Sequence, residues 1–436
     1  MKSKLPSPAL PSPAMPSYDE AASLVAAHAG RLAGMRPALL PNKEPVELGQ
    51  APGRVLAQPL MADRDQPPFA RSTRDGYACR AAEATAHAPM AICGASRAGD
   101  PPAGPLPPGA AWEIMTGAPV PTGADAVMMF EHVETAGKAK IRLLPSRTLK
   151  PGDNIVAQGA QGHTGDVLLS AGAQLHPGQI ALAAACGCAA LEVFRKPRVA
   201  ILSTGDELVP VDASPAPGQI RNSNAPMLAA MVDEAGGEPW ILPTAADNAL
   251  ALDDALALAV TADLLLISGG VSAGKFDLVE PALARLGARF HFIGVRMQPG
   301  KPTVFGELPR NKKANSRSKK LPFFGLPGNP IASAVTFLLF AAPVLAALAG
   351  SRDAYPRFAL ARLAPPVDRN GKSGLTRFLP AFCDFGATAG EPPQVAFVSW
   401  HGSGDLTALA RSNCFCIVPE DAKGLKVGSL VRILLP

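Results

Sequence analysis

The stretches RVAILSTGDELV (198–209) and DLLLISGG (263–270) decide the fold of this chain. Each is a short apolar run that ends in polar residues and glycine, and helical apolar patterns follow at 227–235, 249–262 and 278–286. Strands that alternate with helices in this way predict a mostly parallel sheet with helices on both faces. Such sheets bind ligands at the carboxyl ends of their strands, where the polar loops of this sequence fall.

The flanking segments differ in composition and in hydrophobic pattern, so the chain is predicted to be a multidomain protein of α/β and β type. Residues 61–162 are rich in Gly and Pro with short apolar runs, whereas helical patterns precede and follow them. Short alternating strands and turns close the chain. The predicted parts are a disordered tail at 1–17, an N-terminal domain from 18–60 plus 163–195, a β-rich inserted domain at 61–162, an αβα domain at 196–350, and a small C-terminal β-barrel or sandwich at 351–436.

The composition indicates a globular chain without affinity for nucleic acid. Of the 436 residues 47% are apolar and 5% aromatic, and the formal net charge is +5. Without the basic run RNKKANSRSKK (310–320) the chain would be slightly acidic, so the positive net charge comes from this one local segment. The apolar stretch 331–349 has the length of a membrane span, but it follows the helix-starting pair Asn329-Pro330 and contains polar residues and a proline. We predict a core helix and no membrane association.

Seven cysteines are scattered along the chain, and two pairs, Cys186/Cys188 and Cys414/Cys416, are two residues apart. On a strand this spacing puts both thiols on one face, which is compatible with a zinc or redox pair. No CxxC motif and no neighbouring histidine completes a tetrahedral site. We therefore predict buried thiols in a reducing compartment, the cytoplasm.

Acidic residues follow the predicted strands. Asp206 and Glu207 come after the first strand and Asp247 after the strand WILPTAAD (240–247), while Asp277 ends the loop SGGVSAGKFD (268–277). Carboxylates that meet at one sheet edge suit Mg²⁺, which takes oxygen ligands and often a substrate phosphate. A single acid there is equally compatible with a helix cap.

Three loops have the composition of anion-binding turns. In SGGVSAGKFD (268–277), clustered glycines let backbone N–H groups approach phosphate oxygens. PGKP (299–302) presents Lys301 on a rigid turn, and GLPGNP (325–330) precedes a helix N-terminus. Together they predict a pocket for a phosphorylated ligand. The residues assigned to it are Ser203, Thr204, Gly205, Ser268, Gly269, Gly270, Val271, Ser272, Gly274, Pro299, Gly300, Lys301, Pro302, Pro327, Gly328 and Asn329.

The β-rich segment contains Asp75 in PPFARSTRDGYACR (67–80) and Thr116 in TGAPVP (116–121). Taken alone, both are typical of turns. The neighbouring pair Glu131-His132 has the residue types of an acid/base pair, but an exposed pair or a salt bridge explains it better.

The ordered motifs PPFxxSxxDGYA, TGAPVP, GDNI, STGDEL, SGGVSxGxxD, PGKP and GLPGNP resemble those of the molybdopterin molybdenumtransferases, the family of the gephyrin E domain. The resemblance covers nearly the whole chain from about Tyr18. It implies an elongated homodimer whose αβα domain is similar to the molybdopterin adenylyltransferases, with the N-terminal domain as linker and dimerisation domain. The implied substrates are molybdate and adenylyl-molybdopterin, and the implied metal is Mg²⁺. A molybdopterin adenylyltransferase or a molybdoenzyme chaperone is the implied partner.

The resemblance also implies residue roles. Catalytic roles fall to Asp75 and Thr116 from the partner subunit and to four acids that hold Mg²⁺ or position the phosphates: Asp206, Glu207, Asp247 and Asp277. AMP would leave as molybdate joins the dithiolene. The molybdate site would comprise Lys301, Pro302, Arg377 of LTRFLPA (375–381) and Ser403 of WHGSGD (400–405).

Two departures leave alternatives open. After GDNI the family has an arginine-rich stretch and then Gly-Glu-Asp, whereas this chain reads VAQGAQG (156–162), and Gln298 replaces a common lysine before PGKP. One alternative is therefore a non-catalytic carrier or scaffold that binds molybdopterin. Another is a relative that uses tungstate or hydrolyses the nucleotidyl-pterin.

Overall fold

The structure is a computed structural model that describes residues 15–34, 43–270, 278–310, 320–352, 355–365, 374–386, 390–422 and 425–436. The predicted site residues Val271, Ser272, Gly274 and Asp277 lie outside these ranges, as do residues 1–14 of the predicted tail and most of the basic run. The described α-helices are α1 Tyr18–Gly34, α2 Ala81–Thr85, α3 Pro177–Ala185, α4 Asn224–Glu234, α5 Ala249–Ala259, α6 Val279–Arg285, α7 Pro330–Thr336, α8 Ala342–Ala349 and α9 Leu406–Arg411.

The strands divide the chain into three sheets and several strand pairs. Up to residue 194 they are β1 Lys43–Glu47, β2 Leu60–Met61, β3 Arg71–Ser72, β4 Gly76–Cys79, β5 Met90–Ser96, β6 Ala110–Ile114, β7 Ala126–Met129, β8 Val133–Thr135, β9 Lys140–Leu143, β10 Ile155–Val156, β11 Val167–Leu169 and β12 Ala190–Phe194. Those of the middle part are β13 Arg198–Ser203, β14 Leu208–Val209, β15 Ile220–Arg221, β16 Glu238–Ile241, β17 Leu264–Ser268, β18 Arg289–Ile293, β19 Met297–Gln298, β20 Val304–Pro309 and β21 Lys320–Leu326. The last are β22 Phe358–Leu363, β23 Thr376–Asp384, β24 Gln394–Phe397, β25 Cys414–Val418 and β26 Leu430–Leu434.

Two antiparallel strand pairs bring distant segments together around the β-rich part. β1 pairs with β12 over five residues, and β2 pairs with β11. A small apolar cluster that includes Leu56, Leu175 and Val193 lies with them. The chain therefore leaves this region after β2 and returns to it at β11, with a sheet of order β7-β4-β6-β5-β9-β8 in between.

The central sheet has the order β16-β13-β17-β21-β20-β18. The first four strands are parallel, and β20 and β18 join them in antiparallel pairing. Alternate residues of β13 and β17 enter different buried clusters, because successive side chains of a strand point to opposite faces. α4, α7 and α8 cover one face and α5 and α6 the other, which confirms the predicted αβα arrangement.

Helix α1 packs on this αβα layer. Tyr18, Ala21 and Val25 belong to the same buried cluster as the residues of α7 and α8, and the ring of Tyr18 lies 6.3 Å from that of Phe340. Burying these side chains removes apolar surface from water, which favours docking of the helix at this place. We therefore propose to count α1 with the αβα domain, whereas the sequence placed it with the N-terminal domain.

The apolar stretch after Asn329 is a core helix, as predicted. Pro330–Ala349 has a mean hydropathy of 2.3, and 89% of its most apolar window is buried inside the protein. A π-helical turn at Phe337–Ala341 separates α7 from α8. It is the one helix, among those the structure describes, whose length and composition would allow it to cross a membrane.

The C-terminal part is a closed barrel, which confirms the prediction. β23, β24, β22, β26 and β25 pair in sequence, and β25 returns to β23. β19 adds to the side of β23 in parallel, so Gln298 lies opposite Arg377. The barrel is thereby joined to the chain segment that carries PGKP.

All seven cysteines are free, and five of them are buried. Cys414 and Cys416 lie on β25 inside the barrel. In the other pair, Cys186 follows the last residue of α3 and Cys188 comes after a turn at Gly187, so these two thiols do not share a strand. Cys188 is half-buried and Cys93 is exposed, so the expectation of buried thiols fails at these two positions.

Candidate active site

Three loops begin where adjacent strands of the central sheet end. The parallel registers align Ser203 on β13 with Ser268 on β17, and Ser268 with Leu326 on β21. The loops that follow therefore start at one edge of the sheet. They carry STGDEL (203–208), SGG (268–270) and LPGNP (326–330).

The glycines of the first two loops let their backbones approach closely. Gly205, Gly269 and Gly270 have φ of 143°, 90° and 63°, a region that other residues rarely adopt. A Cβ on Gly269 would lie 2.8 Å from the carbonyl oxygen of Thr204, and one on Gly270 would lie 2.7 Å from a methyl group of Val279. The close packing of these loops therefore requires glycine at both positions.

The loops surround a cavity of about 1000 Å³, which we call the first cavity. Sites for ligands of the size of a nucleotide have volumes in this range. Ten residues that the sequence assigned to cofactor binding line it: Ser203, Thr204, Gly205, Ser268, Gly269, Gly270, Pro302, Pro327, Gly328 and Asn329.

Three of the predicted metal ligands meet at the first cavity. Glu207 and Asp247 line it, and Asp206 Oδ1 accepts a hydrogen bond of 2.9 Å from the backbone N–H of Asp247. Partial burial raises the pKa of Asp247, and the negative charges of Asp206 and Glu207 also raise it. A bound cation relieves the repulsion between neighbouring negative charges, so clustered carboxylates favour one. The fourth predicted ligand, Asp277, lies outside the described residues.

Asn224 is a residue of the first cavity that the sequence reasoning missed. Its Nδ2 group donates hydrogen bonds of 2.9 Å to Ser268 Oγ and 2.7 Å to the carbonyl oxygen of Gly328. It thereby ties together the loops after β17 and β21. Among the described residues its Oδ1 atom has no partner, and neither does the buried hydroxyl of Ser203 or of Thr204. Buried polar atoms are normally paired, so these three are candidate contacts for a ligand.

A smaller cavity of about 410 Å³, the second cavity, adjoins the first. Pro302, Pro327 and Asn329 line both. Other predicted residues that line the second cavity are Pro299, Gly300, Lys301 and Ser403, together with Gln298 and Trp400. Asn329 Nδ2 donates a hydrogen bond of 2.9 Å to Ser403 Oγ, which joins the loop before α7 to the loop before α9.

The remaining predicted residues lie apart from the two cavities. Arg377 is 6% exposed on β23, and it is not among the described residues that line either cavity. Asp75 and Thr116 contact each other on the β-rich sheet, where Asp75 Oδ1 accepts bonds of 2.7 Å from the Thr116 backbone N–H and 2.8 Å from its hydroxyl. The bond from the Thr116 N–H lowers the pKa of Asp75, and the bond from the hydroxyl adds to this effect.

The chain matches three family models in succession. They are the MoeA N-terminal region (domain I and II) at residues 16–187, the probable molybdopterin binding domain at 200–347, and the MoeA C-terminal region (domain IV) at 363–435. Curated relatives agree with these matches. A molybdopterin molybdenumtransferase of Nostoc is 34% identical over 406 residues, which cover 90% of this chain and 88% of that protein. The chain belongs to the molybdopterin molybdenumtransferase family.

Other members of the molybdopterin molybdenumtransferase family are similar in sequence and in structure. The Bacillus subtilis enzyme of the same name is 36% identical over 399 residues, covering 88% of this chain and 87% of the relative. Two crystal structures of molybdopterin biosynthesis MoeA protein from Pyrococcus horikoshii give TM-scores of 0.69 and 0.74 at 31% and 28% identity. They cover 97% of this chain and 99% and 100% of theirs. The fold class inferred from the sequence is therefore confirmed over nearly the whole chain.

Proposed function

We propose that this protein is an Mg²⁺-dependent molybdopterin molybdenumtransferase, which inserts molybdate into adenylyl-molybdopterin and releases AMP. The observation that carries the proposal is the joining of two unlike cavities at Pro302, Pro327 and Asn329. One offers carboxylates beside a glycine-rich loop, and the other offers a lysine and a serine. Such a pair fits a phosphorylated ligand next to a small oxyanion.

The three clustered carboxylates are ligands of the type that Mg²⁺ prefers. Glu207 and Asp247 line a cavity that also contains backbone suited to phosphate, and Asp206 is joined to them through its hydrogen bond from the Asp247 backbone. We assign the metal to these three residues, with Asp277 as a fourth. Mg²⁺ held by these residues would supply positive charge that neutralises the phosphate oxygens of the substrate.

The chain itself positions the two substrates. Gly269 and Gly270 allow the backbone to approach the pyrophosphate, and Asn224 holds that loop against Gly328. In the second cavity Lys301 supplies a positive charge and Ser403 a hydroxyl for molybdate, a tetrahedral dianion. The dithiolene end of the pterin is expected near the residues that the cavities share, because molybdate must reach it as the pyrophosphate link breaks.

A homodimer would complete this arrangement. Asp75 and Thr116 do not line either cavity in one chain, so we propose that they act on the site of the partner subunit. Arg377 is assigned to the molybdate site behind Gln298, its neighbour across the strands. We also propose a cytoplasmic location. The domains are those predicted from the sequence, except that α1 belongs to the αβα domain. A molybdopterin adenylyltransferase would supply the substrate, or a molybdoenzyme chaperone would receive the product.

The test is release of AMP by the purified protein from adenylyl-molybdopterin, with and without Mg²⁺ and molybdate. We expect release that needs both ions and that falls at least 100-fold in Asp206→Asn. The amide oxygen of the introduced asparagine can still accept the hydrogen bond from the Asp247 backbone, so this change removes charge while keeping the local contact. Asp233→Asn, which removes an exposed carboxylate paired with Lys196, is the matched control and should leave release unchanged.

A non-catalytic carrier is the second candidate, because the sequence departs from the family at 156–161 and at Gln298. The carrier predicts tight binding of molybdopterin with no AMP release under any of these conditions. Release that does not respond to molybdate would instead indicate a hydrolase, and a higher rate with tungstate would indicate a tungstate-using relative. Release in the presence of Mg²⁺ that molybdate stimulates and tungstate does not supports the transferase.

A further inference from the structure

We propose that His28, His291 and Glu307 form a second metal site, one for a divalent transition-metal ion such as Zn²⁺, separate from the carboxylates of the first cavity. His28 lies on α1, His291 on β18 and Glu307 on β20. The site would thus join the N-terminal helix to the antiparallel edge of the central sheet. Its function would be structural, because it holds α1 in place.

The distances among the three side chains fit a tetrahedral ion. One potential ligand atom from each residue lies within 4.8 Å of the others. His28 Nδ1 is 4.0 Å from Glu307 Oε1, and His291 Nε2 is 3.5 Å from Glu307 Oε2. Ligand bonds of about 2.0–2.1 Å at tetrahedral angles place ligand atoms about 3.4 Å apart. Small rotations of the side chains would therefore bring all three within bonding range of one ion.

The two imidazoles are also underused as polar groups. His28 is 3% exposed, and its Nε2 atom has no hydrogen-bond partner among the described residues, while Nε2 of His291 contacts Glu307 Oε2 at 3.5 Å without hydrogen-bond geometry. Buried ring nitrogens are normally paired, since an unpaired one has lost its hydration without replacement. Coordination by two histidines and a carboxylate is a ligand set that zinc accepts.

Nearby cations compete for this site, and they can leave it. Lys320 Nζ lies 2.9 Å from Glu307 Oε2, and Arg31 Nη2 lies 3.2 Å from His28 Nδ1. Both side chains reach solvent, as Lys320 is 51% exposed and Arg31 lies at the surface, so each can turn outward. The side chain of Glu307, in contrast, is 13% exposed and remains. Arg289 also lines the cavity beside the cluster, so three nearby cations weaken metal binding.

A cavity of about 360 Å³ gives the ion a path and a place for water as the fourth ligand. His291 and Glu307 line it together with Leu24 and Ala27 of α1 and the cations Arg31, Arg289 and Lys320. None of its described lining residues belongs to the first or the second cavity. Metal bound here would therefore affect the docking of α1 and leave the proposed active site unchanged.

The test is a titration of the full-length, tag-free and metal-stripped protein with Zn²⁺ by calorimetry, followed by Co²⁺ absorption spectra. We expect one Zn²⁺ per chain that His291→Ala and Glu307→Gln abolish, and Co²⁺ bands of a four-coordinate site that the same changes remove. His132→Ala, a histidine outside the cluster, serves as the matched control. Zn²⁺ should also raise the Tm of the wild type and of the control only.

Two results would overturn the proposal. One is the absence of Zn²⁺ binding to the wild type. The other is binding that survives both His291→Ala and Glu307→Gln, which would assign the ion to other ligands such as Asp206 and Asp247. These measurements do not use AMP release, so they stand or fall independently of the proposed transferase activity.

Discussion

Replacing Asn224 with alanine should loosen the first cavity while leaving its charges unchanged. The side chain donates two hydrogen bonds, one to Ser268 Oγ and one to the Gly328 carbonyl. Each such bond contributes about 1 kcal/mol to the free energy of unfolding. We therefore expect Asn224→Ala to lower that free energy by about 2 kcal/mol.

The same two bonds hold the glycine-rich loop and the loop before α7 in register. Without them the loops must be ordered by the ligand, so part of the binding free energy is lost. If the whole of this loss, about 2 kcal/mol, appears in binding, the dissociation constant for adenylyl-molybdopterin rises by roughly 30-fold. We expect an increase of at least roughly tenfold, since the ligand restores some contacts itself.

The assay is urea denaturation beside equilibrium binding of adenylyl-molybdopterin. Asn248→Ala is the matched control, because Asn248 Oδ1 caps α5 by accepting a bond of 2.9 Å from Ala251 N–H, and Asn248 lines neither cavity. Loss of such a cap costs about 1 kcal/mol. If Asn224→Ala is destabilised yet binds the ligand as tightly as Asn248→Ala does, Asn224 does not organise the cavity, and this reasoning is wrong.

Three further predictions concern the same site. Gly270→Ala should abolish binding of adenylyl-molybdopterin in calorimetry, because its Cβ would lie 2.6 Å from Thr204 Oγ1 and its φ is 63°; retained affinity would show that the loop relaxes. Asp247→Asn should lose AMP release but raise the free energy of unfolding in metal-free buffer by about 0.5 kcal/mol, because it removes the repulsion between Asp247 and the carboxylates of Asp206 and Glu207. The gain is small because the side chain is exposed and solvent screens this repulsion. Asp75→Asn and Asp247→Asn should each be inactive alone, whereas an equal mixture refolded together should recover up to about a quarter of the wild-type rate if each site combines two subunits. If the mixture has no activity, Asp75 of one subunit and Asp247 of the other do not act together in one site.

Much of the central domain could be predicted from local sequence. Short apolar runs that end in Gly and polar residues fix both the strands and the loops after them, and parallel pairing then brings these loops to one edge. For this reason ten pocket residues between Ser203 and Asn329 could be assigned without a structure. Short strands and turns favoured a small barrel or sandwich at 351–436, and the pairing of β25 with β23 makes it a closed barrel.

Other features depend on contacts between distant segments, which local patterns do not encode. Asn224 lies in RNSNAP (221–226), where an asparagine before a helix usually serves as a cap. Its link to Gly328 appears only when α4 and α7 pack on the same face. The cluster of His28, His291 and Glu307 joins three segments in the same way.

The departures from the family pattern leave the fold intact. They leave the positive charge of the second cavity, among its described lining residues, on Lys301. Gln158 Nε2 donates a bond of 3.0 Å to Asp65 Oδ2, and Thr164 N–H donates one of 3.0 Å to Asp65 Oδ1. A neutral amide thus satisfies local contacts of this segment. With Gln298 in the second cavity, Lys301 is the one cation among the described residues that line it. Binding of molybdate should therefore depend strongly on Lys301, because Arg377, the other cation assigned to the molybdate site, is not among the described residues that line the cavity.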